Sequence, residues 1–204
     1  MYAKCKRLLD VFFAVILLIL SALPMALIAL CVLAEGGGTV LFKQSRLGLH
    51  GKCFTCYKFR TMRAENAAGE PDMNRVTALG RVLRRFSLDE LPQFWNILKG
   101  DMSFVGPRPL LPIYKEYYSN EQSRRHLTRP GMTGWAQING RNTTDWTTRL
   151  QLDCWYVDNI SPSVDCKIVL CTIKQLLTGS GVNSGGNVTM ESFADYSRRQ
   201  TTAR

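Results

Sequence analysis

Imidazole is scarce in this 204-residue chain: His50 and His126 are the two histidines. Seven cysteines are scattered and odd in number, and one pair alone, Cys53 and Cys56, has Cys-x-x-Cys spacing. Without a second such pair or more histidine, a zinc or redox role is not expected, and a disulfide framework is excluded in favour of a reduced compartment. Internal repeats and low-complexity tracts are also lacking. Acidic residues are outnumbered, 16 against 26 Lys and Arg, so the chain carries a formal charge of +10 with pI near 9.5. That imbalance implies an anionic partner, and nucleic acid, anionic lipid and phosphorylated small molecules all qualify. The length suits one domain of ordinary size.

Charge is missing altogether from Val11 to Ala34, VFFAVILLILSALPMALIALCVLA. As a helix this run is about 36 Å long, enough to cross a bilayer. It is too long for a cleavable leader, and Glu35 and three glycines follow it where a cleavage site would stand. Pro24 near its middle lacks an N–H and predicts a kink, and Ser21 is placed to back-bond to a carbonyl freed there. A kinked single span is the plain reading. Lys4, Lys6 and Arg7 before the run and Lys43, Arg46, Lys52, Lys58 and Arg60 after it favour a re-entrant segment, which keeps both basic flanks on the cytoplasmic side.

Beyond the glycines, VLFKQSRLG and CFTCYKFRT read as two strands of a β-hairpin around Leu49–Lys52. Lys58 and Arg60 at its end are either surface charges or phosphate contacts. Leu79, Val82, Leu83 and Phe86 share one face of an amphipathic helix with Arg81, Arg84 and Arg85 opposite, a pattern that suits a membrane surface or plain solvent. Pro92 starts a second helix ending at Gly100. LPIYKEYYSNEQSRRHL reads as one polar helix, and RPGMTGWAQINGR as an irregular loop. VDCKIVLCTIKQLLTG reads as a helix with Val164, Ile168, Cys171 and Leu176 on its apolar face and Gly179 as its C-cap, followed by a polar tail.

Asp89 and Glu90 fall in the turn between the two central helices. Ser87 and Glu90 have the spacing of a capping box, which is the structural explanation for the pair. Pro92 weakens it, because a helix already running from Leu88 would lose a hydrogen bond there. The chemical explanation is division of labour, since adjacent side chains diverge by about 100° on a helix and serve different partners. One carboxylate would attack phosphorus and the other hold Mg²⁺, with Arg84 and Arg108 as forked phosphate donors. Nucleic acid is not the expected partner, because no aromatic residues are interleaved with the arginines and no helix-turn-helix or finger spacing occurs.

KRLLD, Pro24, KFRTM, LRRFSLDELPQFWNILKGDMSFVGPRPLL and RPGMTGWAQINGR occur in this order. Together they resemble the bacterial sugar transferases, the monotopic polyprenol-phosphate phosphoglycosyl transferases, from about Lys6 to about Thr189. The resemblance implies an α+β fold, mainly α, with a re-entrant membrane helix-break-helix, interfacial amphipathic helices and a small β-hairpin. Residues 1–36 would be membrane-embedded and 37–204 a cytoplasmic catalytic unit at the inner membrane of a bacterium. It implies Asp89 as nucleophile on a UDP-sugar, Glu90 as Mg²⁺ ligand, UMP as leaving group and polyprenyl phosphate as acceptor. Arg84, Arg108 and Lys58 would bind phosphate, and Asp153 in LQLDCWYVDNIS matches a further acidic position. The chain departs from the pattern at the membrane break, with Leu23-Pro24 in place of Ser-Pro and Ser21 displaced. Starting at KRLLD, it resembles the minimal catalytic form, and GVNSGGNVTMESF resembles the tail of members using N-acetylated amino sugars.

Overall fold

A computed structural model describes residues 2–36, 38–63, 72–139, 145–178 and 192–202. The fold is mostly helical with two small sheets. A single helix α1, Tyr2–Ala34, is followed by the hairpin β1 (Leu41–Leu47) and β2 (Cys53–Phe59), then α2 (Asp72–Arg75) and α3 (Ala78–Arg85). A 3-10 turn at Leu88–Glu90 leads into α4 (Gln93–Lys99) and β3 (Ser103–Val105). After α5 (Asn120–Ser123) come β4 (Gly131–Thr133), α6 (Trp135–Asn139), α7 (Trp146–Asp158), α8 (Pro162–Thr178) and α9 (Phe193–Thr202).

The apolar run forms one continuous helix with Pro24 inside it. Proline at this position leaves the Leu20 carbonyl without its i+4 donor. The Ser21 hydroxyl does not serve it: it donates to Leu17 O at 2.5 Å, one turn back on its own row. Most of α1's large apolar side chains point outward, Phe12, Ile19, Leu20, Leu23, Leu27 and Leu30 among them. Its inward row is narrow. Ala14, Leu17 and Leu18 pack on Cys56, Phe94, Ile97 and Met102, and Val32 packs on Phe59 and Leu83. Thus α4 lies along the first half of α1, and α3 with β2 along the second.

Both ends of α1 are bonded to this same body. At the start, Lys6 Nζ and Tyr2 Oη each lie 2.7 Å from Asp165 Oδ2, and Arg7 donates to Ile97 O and Leu98 O. At the end, Arg60 donates to Val32 O and Gly36 O, and Glu35 accepts from Leu79 N. This gives Arg60 a structural role at the end of α1, while it also borders the groove that holds Lys58.

The hairpin pairs antiparallel from Leu41 opposite Phe59 to Leu47 opposite Cys53, as its alternation predicts. Cys53 is exposed and Cys56 buried, so the two thiols do not share an environment. Two expectations are corrected. The segment read as one polar helix is broken into a 3-10 stretch, α5 and a second 3-10 turn, because Ser119 and Gln122 form a capping box that restarts the chain. The glycine-rich loop contains a strand and a short helix: β4 pairs parallel with β3, with Ser103 opposite Gly131. Its glycines permit backbone contact, since a Cβ on Gly131 would lie 2.1 Å from Gly106 N.

Helix α8 forms where periodicity placed it: of the four residues expected on its apolar face, Ile168 is buried, Val164 packs beside it and Cys171 is half-buried, while Leu176 is exposed. Asp165 is drawn inward by Tyr2, Lys6 and Tyr156. This buries Ile168 and turns Val169, Leu170, Ile173, Leu176 and Leu177 outward. The tail beyond Gly181 is not wholly polar: Phe193 of α9 is buried among Tyr114, Tyr118 and Trp146. Gly179 and residues 181–191 lie outside the described residues.

Candidate active site

The Asp89–Glu90 turn is held from three sides. Thr77 caps α3 by accepting from Gly80 N, and Gly80 sits so close to Thr61 that a Cβ would come within 2.2 Å of Thr61 O. This draws α3 against the end of β2. From the other side, Asn96 of α4 is fully buried, accepts from Tyr57 N and donates to Thr55 O. Gly100 closes α4 in the left-handed conformation with φ 94°. The turn between these fixed helices has no slack.

Ser87 does not cap. It has φ 55° and makes no side-chain cap bond, so the capping-box spacing is coincidental and Glu90 is released for other contacts. Left-handed backbone at a serine carries strain that the packed helices on either side must impose. Pro92 stands at the N-cap of α4, as its chemistry predicts.

Glu90 Oε1 accepts from Lys58 Nζ at 2.5 Å and from Arg108 at 3.3 Å. Burial pushes the Glu90 carboxyl up, but Arg108 and Lys58 outweigh it and bring the pKa down to about 2. Asp89 shows the opposite balance. It is 8 % exposed, and burial raises its pKa, with Glu90 adding to the rise while Lys58 and Arg84 oppose it. The neighbours therefore differ in basicity: Glu90 is a fixed anion and Asp89 a more basic carboxylate.

Arg84 donates to the buried Thr61 hydroxyl at 2.9 Å. It lines the same groove as Lys58, Asp89, Glu90 and Arg108, which the apolar residues Phe13, Ile16 and Leu17 of α1 also border. Four of the sequence candidates thus surround Asp89. Asp153 lines the same groove but is more deeply buried. Its Oδ2 is held by Arg125 Nε and NH2 at 3.1 and 2.7 Å, with both side chains almost wholly buried.

Sequence reasoning missed Arg125, which donates to Arg108 O as well as to Asp153. It also missed Arg46, which donates to Pro109 O, and Asp165, on which three donors converge. Nothing in their local patterns marks them, because their partners lie far away in sequence. Asn96 had one available signal, a polar residue beside Phe94 and Ile97 on the inward face of α4.

As a metal ligand set, Asp89 and Glu90 offer two hard carboxylates. Mg²⁺ uses one or two such groups when substrate phosphates and water complete its shell, so these residues fit the ion. Lys58 and Arg108 share Oε1 of Glu90, so Oε2 would be free of them to hold such an ion.

Residues 1–179 match the bacterial sugar transferase family. The chain is 48% identical over 191 residues to the uncharacterized sugar transferase EpsL of Bacillus subtilis (strain 168), covering 92% of this chain and 95% of that protein. It is 37% identical over 196 residues to the undecaprenyl-phosphate galactose phosphotransferase of Salmonella typhimurium, covering 86% of this chain and 41% of the relative. It is 38% identical over 192 residues to the UDP-N-acetylgalactosamine-undecaprenyl-phosphate N-acetylgalactosaminephosphotransferase of Aeromonas hydrophila, covering 88% and 45%. The chain spans less than half the length of these last two relatives. A family match over most of the chain, joined to near-complete mutual coverage with EpsL, shows that the chain belongs to the bacterial sugar transferase family.

Proposed function

We propose that this protein transfers a sugar 1-phosphate from a UDP-sugar to undecaprenyl phosphate, the first membrane step of a glycoconjugate pathway. The observation that carries this reading is the buried, more basic Asp89 beside a Glu90 that two cations keep ionised, in a groove bordered by apolar residues of α1. Asp89 attacks the β-phosphorus, forming an acyl phosphate while the P–O bond to UMP breaks and UMP leaves with the electron pair. An oxygen of undecaprenyl phosphate then attacks the same phosphorus. The acyl-phosphate bond breaks, Asp89 is regenerated and the lipid diphosphate sugar departs.

Arg108, Lys58 and Arg84 bind the phosphate oxygens, and Arg108's forked guanidinium suits two of them at once. Glu90 holds Mg²⁺, which when bound neutralises phosphate charge. Galactose and N-acetylgalactosamine relatives both match well. The sugar favoured here, from the 181–193 sequence, is an N-acetylated amino sugar.

Residues 1–36 form a re-entrant membrane element and the remainder a catalytic unit on the cytoplasmic face of the inner membrane. Support comes from the bonds at both ends of α1: a span would carry either Lys6 and Arg7 or Val32 and Glu35 away from the body to which both are tied. The outward apolar residues of α3 (Val82) and α8 suit interfacial helices.

The test is a panel of labelled UDP-sugars with undecaprenyl phosphate in detergent. Lipid-linked product and UMP should appear one for one. Steady UMP release without lipid product would mean hydrolysis and end the transferase reading. Single cysteines at Tyr2 and Thr39, in a background cleared of native cysteine, should be labelled from the same side of the membrane.

A further inference from the structure

The loop Gly106–Leu110 has an unusual arrangement of its carbonyls. Pro107 O accepts from Gly131 N at 3.0 Å, Arg108 O from Arg125 NH2 at 2.7 Å, Pro109 O from Arg46 NH1 at 3.2 Å and Leu110 O from Leu47 N at 2.9 Å. Four successive carbonyls are thus held by donors from three places in the chain: Gly131, Arg125 and the neighbours Arg46 and Leu47 of β1. Two prolines already limit the loop's torsions. With the carbonyls fixed as well, the direction of the Arg108 side chain is set by its backbone.

We propose that Arg125 is a positioning residue for Arg108, and that Asp153 acts through Arg125 rather than on substrate. This rests on the reading of Arg108 as a phosphate ligand. Arg125 spends one face of its guanidinium on Asp153, through Nε and NH2, and the same NH2 reaches Arg108 O. Asp153 and Arg125 border the groove, but their side chains are almost wholly buried. A guanidinium can serve both partners at once because its nitrogens are fixed in one plane, whereas an ammonium is a single point. Arg46 holds the next carbonyl in the same manner while its other nitrogen takes Gln44.

The discriminating variant is Arg125→Lys, which keeps a charge for Asp153 and gives up the reach to Arg108 O. It should lower kcat/KM by about 10- to 100-fold, the scale of a misplaced binding group. The loss should fall mainly on KM for the UDP-sugar, as in Arg108→Ala. In an Arg108→Ala background the same substitution should change kcat/KM less than threefold, because the side chain it positions is gone. An equal loss in both backgrounds would overturn the proposal and make Arg125 merely structural.

A second measurement needs no substrate. Hydrogen exchange should quicken in the 106–110 peptide of Arg125→Lys while β1 and β2 keep wild-type protection. Unchanged exchange in that peptide would also overturn the proposal. Wild-type protein that makes no lipid product would count against the transferase reading alone, leaving the exchange result to decide the positioning role.

Discussion

Two carboxylate–arginine pairs lie near each other in this protein and differ in their access to solvent. Glu90 pairs with Arg108 and Lys58 at side-chain exposures of 13, 48 and 23 %. Asp153 pairs with Arg125 at 3 and 2 %. The open pair keeps its cations within reach of an incoming anion, so phosphate can share or replace Glu90 as their partner. The sealed pair has no such exchange and serves to hold backbone. On the proposed function, similar side-chain chemistry would perform recognition at one place and support at the other, with burial deciding which.

The largest effect that would sharpen this contrast lies in the open site. Asp89→Asn should lower turnover by about 10⁴-fold or more, the scale seen when a nucleophile is removed, and intact-mass spectrometry should find no phosphosugar adduct. Full activity in this variant would remove Asp89 as nucleophile. Glu90→Gln should also be severely impaired with an altered response to Mg²⁺, measured by initial rates across a metal titration.

Breaking the sealed pair should act on stability before chemistry. Asp153→Asn leaves Arg125 buried without its counter-charge, at a cost of about 3–5 kcal/mol. A lowered thermal midpoint measures this. A variant as stable as wild type would show that the pair is not the support described.

The smallest predicted effect is on pH. Burial raises the Asp89 pKa, so the acid limb of kcat/KM should lie above the ordinary 3.8 of an aspartate. Lys58 lowers that pKa, so Lys58→Met should move the limb to higher pH, on top of any loss in phosphate binding. For Glu90 the sign is reversed. Its folded pKa of about 2 lies below the usual 4.5, so its ion pairs stabilise fully above pH 4.5 and weaken as pH falls toward 2. A limb that does not move in Lys58→Met would show that Lys58 and Asp89 are uncoupled.

Much of this architecture was legible in the sequence where the signal was local. The hairpin followed from alternation and the glycine turn, and α4 from Pro92 and Gly100 at its two ends. The uncharged run gave α1 its end at Ala34 but not its start, which lies nine residues earlier at Tyr2. Parallel pairing of β3 and β4 was not legible, because three-residue strands 26 residues apart have no period of their own, and the glycines between them read equally well as a loop. On α8 the apolar face was placed at Val164, Ile168 and Cys171, but Leu176 is exposed and Asp165 was not expected inward, because hydrophobic periodicity gives no weight to a polar anchor. In the candidate site, the motif around Asp89 was visible as a string of residues. The inward carboxylate–arginine pair was only half visible: Asp153 stood in a recognisable motif, and Arg125 gave no sign of reaching it from 28 residues away.

The bonds that hold the start of α1 carry a consequence for biosynthesis. Tyr2 and Lys6 are joined to a residue 163 and 159 positions later. At 5–20 residues per second, roughly ten to thirty seconds of translation separate the membrane helix from the arrival of Asp165. During that interval the amino end of α1 lacks both bonds, and it gains them only once Asp165 has left the ribosome. A nascent chain halted before Asp165 would lack the bonds that tie its first residues to α8.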